Sequence, residues 1–254
     1  DWHPAPETML YASVARGFKS GGFPNIEGNF AVQYEPARQE EVWTYEVGLK
    51  TQPWRWLKLD LAAFYSDYRN KQMFGAIEDP VFGALTRILN MPRSEILGME
   101  ARLIARPTDA LMLESSLSWL HSRVQRFVGL DDMGQRHDYA GASFAYTPAF
   151  QMSSRIEQVF ALAGGWRVQA GLAWHYSSAQ QADMSADPRY RLKPYHVLDG
   201  TLVLEAPGGR YQLTAFVRNL TDSYYWNAVH LQGDSFARFA AMPRTWGMAL
   251  TRSF

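Results

Sequence analysis

The chain ends with the segment RTWGMALTRSF at positions 244–254, in which apolar residues alternate with small or polar ones. Trp246, Met248, Leu250 and Phe254 share one face of a predicted strand. A soluble protein rarely ends inside such a strand on an aromatic residue, because chain termini fray. A membrane β-barrel does end this way, since its last strand pairs with another strand of the wall. The segment therefore predicts the final strand of an outer-membrane β-barrel.

The same alternation recurs along the whole chain. Leu10, Ala12 and Val14 form one apolar face, and in other segments charged and hydroxyl residues occupy the opposite face. A spanning strand needs about 9–11 residues, and most of the segments have that length. We expect the apolar faces to contact lipid and the polar faces to line a lumen. The predicted strands are 8–16, 42–51, 56–70, 95–105, 111–124, 149–160, 166–176, 195–205, 210–219 and 244–254.

Short and long connections alternate between these strands. Barrels of the outer membrane have short periplasmic turns and longer extracellular loops. We therefore predict an all-β, antiparallel, up-and-down transmembrane barrel wall of about ten strands, with its C-terminus on the periplasmic side. The short turns are 51–55, 106–110, 161–165 and 206–209. The long connections are 17–41, 71–94, 125–148, 177–194 and 220–243.

Composition excludes several classes of protein. The 254 residues carry 25 basic and 25 acidic side chains, so the chain has no basic surplus for binding nucleic acid. It has no cysteine, which excludes a disulfide framework and thiol chemistry. No apolar run reaches the roughly 18 residues that a spanning helix needs, and no secretory signal precedes the first strand. A soluble β-sandwich or lipocalin-like barrel stays open as an alternative, because its strands also alternate.

Several short motifs occur in the order in which one known family carries them. Together they resemble the TonB-dependent outer-membrane receptors, and the resemblance covers essentially the whole chain. The motifs are LYAS at 10–13 with GFKSGGF at 17–23, YEP at 34–36 with YEVGLK at 45–50, AAFYSDY at 62–68, GME at 98–100, VRNLTD at 217–222 with Tyr224 and Tyr225, and PRTWG at 243–247 with RSF at 252–254.

Such receptors have a 22-stranded barrel, an N-terminal plug domain and a TonB box. The resemblance thus implies that residues 1–254 form the C-terminal portion of the barrel, with the remaining strands and the plug supplied by upstream sequence or by a second polypeptide. An open sheet would leave unsatisfied backbone groups in hydrocarbon, which supports this expectation. The implied partners are TonB, ExbB and ExbD through the plug, the barrel-assembly machinery, and the lipid and lipopolysaccharide of the outer membrane. Trp246, Met248, Leu250 and Phe254 would form the assembly signal.

The pattern is most similar to receptors of the yersiniabactin and pesticin type. This likeness implies active uptake of a scarce nutrient, a ferric siderophore, with ferric iron present only in the substrate and no cofactor bound by the chain. Lys19 and Ser20 follow Gly17 and Phe18 where haem receptors carry Arg-Ala-Pro, so haem is disfavoured as the substrate.

A site for a bulky ferric chelate would combine aromatic platforms with cationic or hydrogen-bonding groups. The long connections supply such residues, and neighbours such as Tyr190 with Arg191 and Arg238 with Phe239 rank highest. Packing of these side chains between loops is the competing interpretation. The candidate ligand-binding residues are Arg16, Phe18, Lys19, Phe23, Phe74, Arg87, Tyr139, Tyr190, Arg191, Tyr225, Trp226, Arg238 and Phe239.

Two other functions stay open at this point. A passive porin would share the barrel wall without energy coupling. A barrel hydrolase would need an acid and histidine pair at the extracellular rim, and His175 with Asp183 or Asp187 is the one candidate. The histidines show no metal-ligand spacing, so we expect neither a metal site nor an enzyme.

Overall fold

The computed structural model describes residues 1–23, 30–131 and 133–253. Long antiparallel strands form one sheet, joined in sequence order. The wall strands are β2 (Thr8–Lys19), β3 (Glu40–Trp54), β4 (Leu57–Asp79), β5 (Gly83–Thr108), β6 (Leu111–Arg126), β9 (Phe150–Ala161), β10 (Arg167–Ser177), β13 (Tyr195–Glu205), β14 (Tyr211–Arg218) and β17 (Thr245–Arg252).

Shorter elements fill the connections. They are the strands β1 (Trp2–Ala5), β7 (Val128–Leu130), β8 (Arg136–Asp138), β11 (Gln180–Gln181), β12 (Arg191–Leu192), β15 (Trp226–Gln232) and β16 (Ser235–Ala240), and single 3-10 turns at Ala31–Tyr34, Ala163–Gly165, Pro188–Tyr190 and Pro207–Gly209. The ten wall strands form the predicted meander in which each strand pairs with the next, so the up-and-down antiparallel topology is confirmed.

The pairing register places most apolar residues of the wall strands on one face of the sheet. Directly paired residues of an antiparallel sheet project from the same face. One row runs from Leu113 through Ile156 to Leu172, and another from Ala170 through Leu202 to Ala215 and Met248. We call this side the apolar face and the opposite side the polar face.

The apolar face is exposed rather than packed into a core. Trp246, Met248 and Leu250 are 79%, 64% and 73% exposed. A soluble sandwich or lipocalin-like barrel would bury this face, whereas the large buried hydrophobic residues lie instead in the long connections and the strand segments packed against them. An extended exposed apolar surface of this kind is suited to lipid.

Connections at the two ends of the wall differ in length, as the sequence predicts. At one end, here the short-turn end, glycines with positive φ close the turns, such as Gly164 (71°) and Gly208 (77°). A side chain is strained at such φ values, which explains the Gly-Gly pairs at 164–165 and 208–209. The opposite end, here the long-loop end, carries the remaining connections.

One predicted loop is wrong. Residues 71–94 do not form a polar connection, because β4 and β5 continue as a paired hairpin whose tip is at 80–82. Asn70 has φ of 53°, and beyond it the alternation reverses. Met91 therefore packs with Val124 of the polar face, and the Lys71 ammonium lies 4.6 Å from the Tyr68 ring. The alternation that marks the strand is interrupted at this reversal. Residues 71–94 therefore look like a loop in the sequence.

The described strands form an open sheet. No pairing in the described part of the chain joins β2 to β17, the two long strands at the ends of the order. The resemblance implies that the second neighbour of 8–16, on the side away from β3, lies outside this sequence. Part of that edge is instead paired with β1, since Trp2 pairs with Leu10 and Ala5 with Thr8. β1 is short, so the rest of that β2 edge has no strand beside it among the described residues.

No helix in the described ranges is long and apolar enough to cross a membrane.

Candidate functional site

The long connections pack together at the long-loop end. One cluster buries Met91 of β5, Val124 of β6, Phe127 and Tyr139 of the connection after β6, and Met184 of the connection after β10. The backbone of Ala76 in β4 also pairs with Leu130 in β7. Side chains distant in sequence thus hold three connections in one layer.

A second cluster extends this layer. Tyr190, Leu192 and Val229 are buried together, with Phe236 of the β15–β16 hairpin packed against them. Tyr146 follows Ala145, which packs against the first cluster, and bonds toward the second: its backbone N–H donates to the Gln181 carbonyl at 2.8 Å, and its hydroxyl donates to the Val229 carbonyl at 3.2 Å. The connections therefore form a continuous packed surface.

Tyr139 and Tyr190 belong to these clusters. Each side chain is only 4% exposed, so neither offers a ring face to a ligand in this arrangement. Sequence alone could not separate them from exposed aromatics, because the contacts that bury them come from other connections. Arg191, next to Tyr190, is exposed.

A polar cleft of about 660 Å³ lies beside the β4–β5 hairpin. Three arginines from three different segments, Arg38, Arg87 and Arg136, line it together with Glu35 and Glu78. Its volume falls in the range of small-molecule sites, about 300–1,000 Å³. The positive side chains exceed the negative ones by one among these five, which favours an anionic ligand.

Hydrogen bonds hold the walls of this cleft. The backbone N–H of Arg38 donates to the Asn90 side chain at 2.8 Å, and the Asn90 amide donates to the Asn70 carbonyl at 2.8 Å. Arg87 forms an ion pair with Glu35, while its Nε is buried and has no hydrogen-bond partner among the described residues. Of these residues the sequence indicated only Arg87; Arg38 and Asn90 carry no local pattern that marks them.

An aromatic stack stands on the polar face near the same end. The rings of Tyr195 and Tyr225 stack with centroids 3.9 Å apart, and His175 lies 6.0 Å from Tyr195. Burial is the main cause that raises the pKa of the Tyr225 phenol, and the nearby Tyr195 and Asp199 raise it further. Tyr225 was a predicted site residue; Tyr195 was not, because it occupies the first position of a predicted strand.

The remaining predicted residues are spread over the long-loop end. The Arg238 guanidinium lies 4.7 Å from the Trp226 ring, and Phe239 meets His230 edge-on at 5.6 Å. These four residues belong to the β15–β16 hairpin. Three further candidates are exposed: Lys19, Phe23 and Phe74.

Arg16 and Phe18 lie in β2 rather than in a loop. They pair with Trp43 and Glu41, which share the apolar side of the sheet. The Arg16 guanidinium lies 4.7 Å from the Phe18 ring and donates to Glu41 at 2.9 Å. Both side chains therefore point away from the polar face that carries the aromatic stack.

The polar face is lined with charges paired across strands. Arg102 contacts Glu114 at 2.6 Å, and Arg218 contacts Asp199 at 2.9 Å. A concavity of about 480 Å³ on this face is lined by residues of β2 to β6, β9 and β10. Such a surface is suited to water or to a polar protein partner.

The proposed acid and histidine pair of a hydrolase is not assembled. His175 Nδ1 contacts the Ser153 hydroxyl at 2.9 Å. Asp183 accepts from the Ser185 backbone, and Asp187 pairs with Arg189, whose guanidinium lowers the pKa of that carboxyl. In residues 1–23, 30–131 and 133–253, no three His, Asp or Glu side chains are grouped so as to hold a metal ion.

Comparison with solved structures supports the fold. The chain is similar to the ferric yersiniabactin uptake receptor FyuA from Yersinia pestis, with a TM-score of 0.81 and 21% identity over 97% of this chain and 35% of that one. The siderophore receptor PiuA from Acinetobacter baumannii gives a TM-score of 0.70 and 20% identity over 97% and 33%. The copper transporter OprC gives 0.71 and 16% over 98% and 38%. The chain thus spans about a third of the length of each.

A family model described as "TonB dependent receptor-like, beta-barrel" matches residues 1–220. The match covers most of the chain and agrees with the antiparallel meander and its exposed apolar face. The chain belongs to the β-barrel family of the TonB-dependent outer-membrane receptors.

Proposed function

We propose that this chain is the C-terminal part of the barrel of a transporter that takes up a ferric siderophore with energy delivered by TonB. The apolar face would contact lipid, the long-loop end would face the outside, and the short-turn end the periplasm. The remaining strands and the plug would come from upstream sequence or a second polypeptide. TonB, ExbB and ExbD would act through that plug.

The cleft beside the β4–β5 hairpin carries the substrate proposal. Arg38, Arg87 and Arg136 converge on a space of about 660 Å³. Ferric siderophores are bulky, and many are anionic, so guanidinium groups would bind their oxygen atoms by charge-assisted hydrogen bonds. The fold likeness to a ferric yersiniabactin receptor supports the same class.

The aromatic stack on the polar face offers the substrate a second set of contacts. Tyr195 and Tyr225 present stacked rings above a wall rich in hydroxyl and charged groups. A chelate released from the cleft to the polar face could stack on these rings. We therefore propose that the substrate contacts the cleft first and the stack second.

A passive porin is the alternative that shares this wall. It would need neither a selective cleft nor TonB, so energy dependence separates the two functions. The contacts of His175 with Ser153 and of Asp187 with Arg189 give a hydrolase no support.

The test is uptake of ferric yersiniabactin and ferric enterobactin by iron-starved cells that express the intact receptor, with and without TonB. We expect uptake of one chelate that requires TonB and falls at least tenfold in the double variant Arg38→Ala/Arg87→Ala. Arg210→Ala, at the short-turn end, is the matched control and should leave uptake unchanged.

Barrel yield in the membrane is measured in parallel, so that a folding defect is not taken for lost binding. Uptake that persists without TonB would support the porin instead. TonB-dependent uptake of a sugar or cobalamin, without iron uptake, would keep the transporter and exclude the siderophore.

A further inference from the structure

The cleft beside the β4–β5 hairpin has two walls that come from different connections. Residues 35–38 belong to one wall, since the Arg38 backbone N–H donates to the Asn90 side chain of β5 at 2.8 Å. Residues 127–136 belong to the other, since Leu130 of β7 pairs with Ala76 of β4. Each wall carries an arginine that lines the cleft, Arg38 in the first and Arg136 in the second. Segments far apart in sequence thus supply two guanidinium groups to one cavity.

The chain leaves these two arginines without a carboxylate partner. Arg38 and Arg136 are exposed and form no ion pair with the described residues. Arg87 differs, because it pairs with Glu35, but its Nε is buried and has no hydrogen-bond partner among the described residues. A buried donor without an acceptor costs free energy until a ligand or water accepts from it. The cleft therefore suits a ligand rich in acceptor oxygens.

The two unpaired arginines lie at different levels of the hairpin. The arginine of the first wall is at the level of Gln72 in β4, which is the pairing partner of Asn90. Arg136 pairs with Leu130 and so lies at the level of Ala76. The four residues between these levels span about 13 Å at roughly 3.3 Å per residue. A ligand between the arginines is therefore bound from two directions.

The kind of acceptor oxygen separates the classes of ferric siderophore. A carboxylate that binds iron through one oxygen keeps its other oxygen as an acceptor, whereas both oxygens of a catecholate or a hydroxamate bind iron. Catecholates present aromatic rings, and Phe127, the one aromatic residue among the described residues lining the cleft, is only 7% exposed. Chelates of three hydroxamates with Fe³⁺ are neutral and would leave both guanidinium groups unpaired. The cleft therefore matches carboxylates.

We propose that the cleft selects a carboxylate-type ferric chelate, with Arg38 and Arg136 bound to the free oxygens of iron-bound carboxylates and Arg87 Nε donating to a further oxygen. Guanidinium groups bind carboxylates in a bidentate manner, by charge-assisted hydrogen bonds. The inference rests on the proposed function, because it names the class of siderophore that the transporter takes up. Glu78 also lines the cleft, and its negative charge opposes such a ligand.

The test is binding of four ferric chelates to the intact, purified receptor, measured by quenching of its tryptophan fluorescence. Ferric rhizoferrin and ferric yersiniabactin carry carboxylates, ferric enterobactin is a catecholate, and ferrichrome is a hydroxamate. We expect one of the two carboxylate chelates to bind about tenfold more tightly, or better, than both enterobactin and ferrichrome, as charge-assisted hydrogen bonds predict.

Charge variants identify the side chains that bind this chelate. Arg38→Gln and Arg136→Gln should each weaken its binding about tenfold, because hydrogen bonds to a charged group are lost. Glu78→Gln should tighten its binding by about twofold, since a like charge at an exposed position is removed. Arg106→Gln/Arg210→Gln, at the short-turn end, is the control and should leave its affinity unchanged.

Iron-free chelator and free citrate separate a ferric chelate from simpler anions with the same carboxylates. We expect both to bind at least about tenfold more weakly than the ferric chelate, because iron holds the carboxylates in one arrangement. Equal affinity with and without iron would assign the cleft to a free polycarboxylate and would overturn the inference.

Two further results would overturn it. One is tightest binding of ferric enterobactin or ferrichrome. The other is equal affinity of the wild type and Arg38→Gln/Arg136→Gln for the carboxylate chelate. Heat-modifiability of each variant reports barrel folding, and the single variants provide the measurement if the double variant fails to fold.

Binding is measured without TonB, so failure of this inference can be told from failure of the proposed function. Tight binding of a carboxylate chelate without TonB-dependent uptake would contradict only the proposed function. TonB-dependent uptake of ferric enterobactin, with weak binding of the carboxylate chelates, would contradict only the inferred class. Absence of binding by all four chelates would contradict both.

Discussion

The ring of Tyr11 in β2 lies directly over Gly48 in β3. A Cβ atom placed on Gly48 would lie 2.3 Å from the ring, so no other residue fits beneath it as the ring stands. The Tyr11 hydroxyl donates to Glu46 Oε1 at 2.7 Å, which holds the ring in place. Phe64 covers Gly98 and Phe216 covers Gly247 in the same way on the same polar face. In each pair the aromatic ring covers a strand glycine, which has no side chain to pack there.

Gly48→Ala should destabilise the barrel by about 1–3 kcal/mol, because the added methyl group displaces the Tyr11 ring and breaks its bond to Glu46. Gly171→Ala is the control, since a Cβ there would have its nearest neighbour, Glu157 Cγ, at an ordinary 3.7 Å. Urea unfolding of the reconstituted intact barrel measures the stability of both variants. In a Tyr11→Ala background the cost of Gly48→Ala should shrink; an unchanged cost would show that the ring is not its cause.

The alternation of residues is enough to predict the wall. Every segment proposed as a strand forms one, and the register pairs apolar with apolar residues, as from Ile156 to Leu172. A shift by one residue would move the apolar face of a strand to the polar side, so pattern and register support each other. The prediction failed beyond Asn70, whose positive φ reverses the faces although the register between β4 and β5 is kept on both sides of it.

The candidate site was much less predictable. Tyr139 and Tyr190 are buried by residues from other connections, and Arg38 reaches the cleft only through the fold of the segment between β2 and β3. These contacts join distant parts of the chain, so no periodic pattern in the sequence indicates them. Phe18 was misplaced because β2 extends three residues beyond its predicted end, to Lys19. Arg16, the last residue of the predicted strand, pairs with Trp43 on the apolar side of the sheet.

Opposite faces of β10 should tolerate charge differently. Leu172→Arg puts a guanidinium on the apolar face at mid-strand and should cost about 2–4 kcal/mol or prevent insertion. Gln169→Arg, on the polar face of the same strand, should have a mild effect. The amount of folded barrel in membranes is measured for both variants. Equal loss in both variants would contradict the assignment of the apolar face to lipid.

Deletion of Phe254 should impair assembly rather than transport. Phe254 lies outside the described residues, and the prediction rests on the alternation of Trp246, Met248 and Leu250 that leads to it. We expect less heat-modifiable, membrane-inserted protein, with normal uptake per inserted barrel. Deletion of Asp1, an exposed residue outside the wall strands, provides the control. Normal barrel levels after loss of Phe254 would count against an assembly signal.

Tyr195→Ala should weaken binding of the ferric chelate several-fold, because stacking of an aromatic group contributes about 0.5–1.5 kcal/mol beyond its buried area. Tyr224→Ala is the matched control, since that side chain is 77% exposed and its ring is not part of the Tyr195–Tyr225 stack. Fluorescence titration with the ferric chelate measures both variants. Equal affinities would remove the stack from the proposed substrate path.

The open edges of β2 and β17 predict that other strands lie between them in the intact barrel. A ten-strand cylinder closed by these edges would have a narrow lumen, too small for a folded plug and a bulky chelate. The chain has no cysteine, so a disulfide between two introduced cysteines shows that their strands are neighbours. Ala215→Cys with Met248→Cys, opposed residues of β14 and β17, should form a disulfide. Leu250→Cys combined in turn with Met9→Cys, Leu10→Cys or Tyr11→Cys should form none. Efficient cross-linking of any such pair would mean that β2 and β17 are neighbours and that the chain closes on itself, and a small porin or a barrel hydrolase would then replace the transporter.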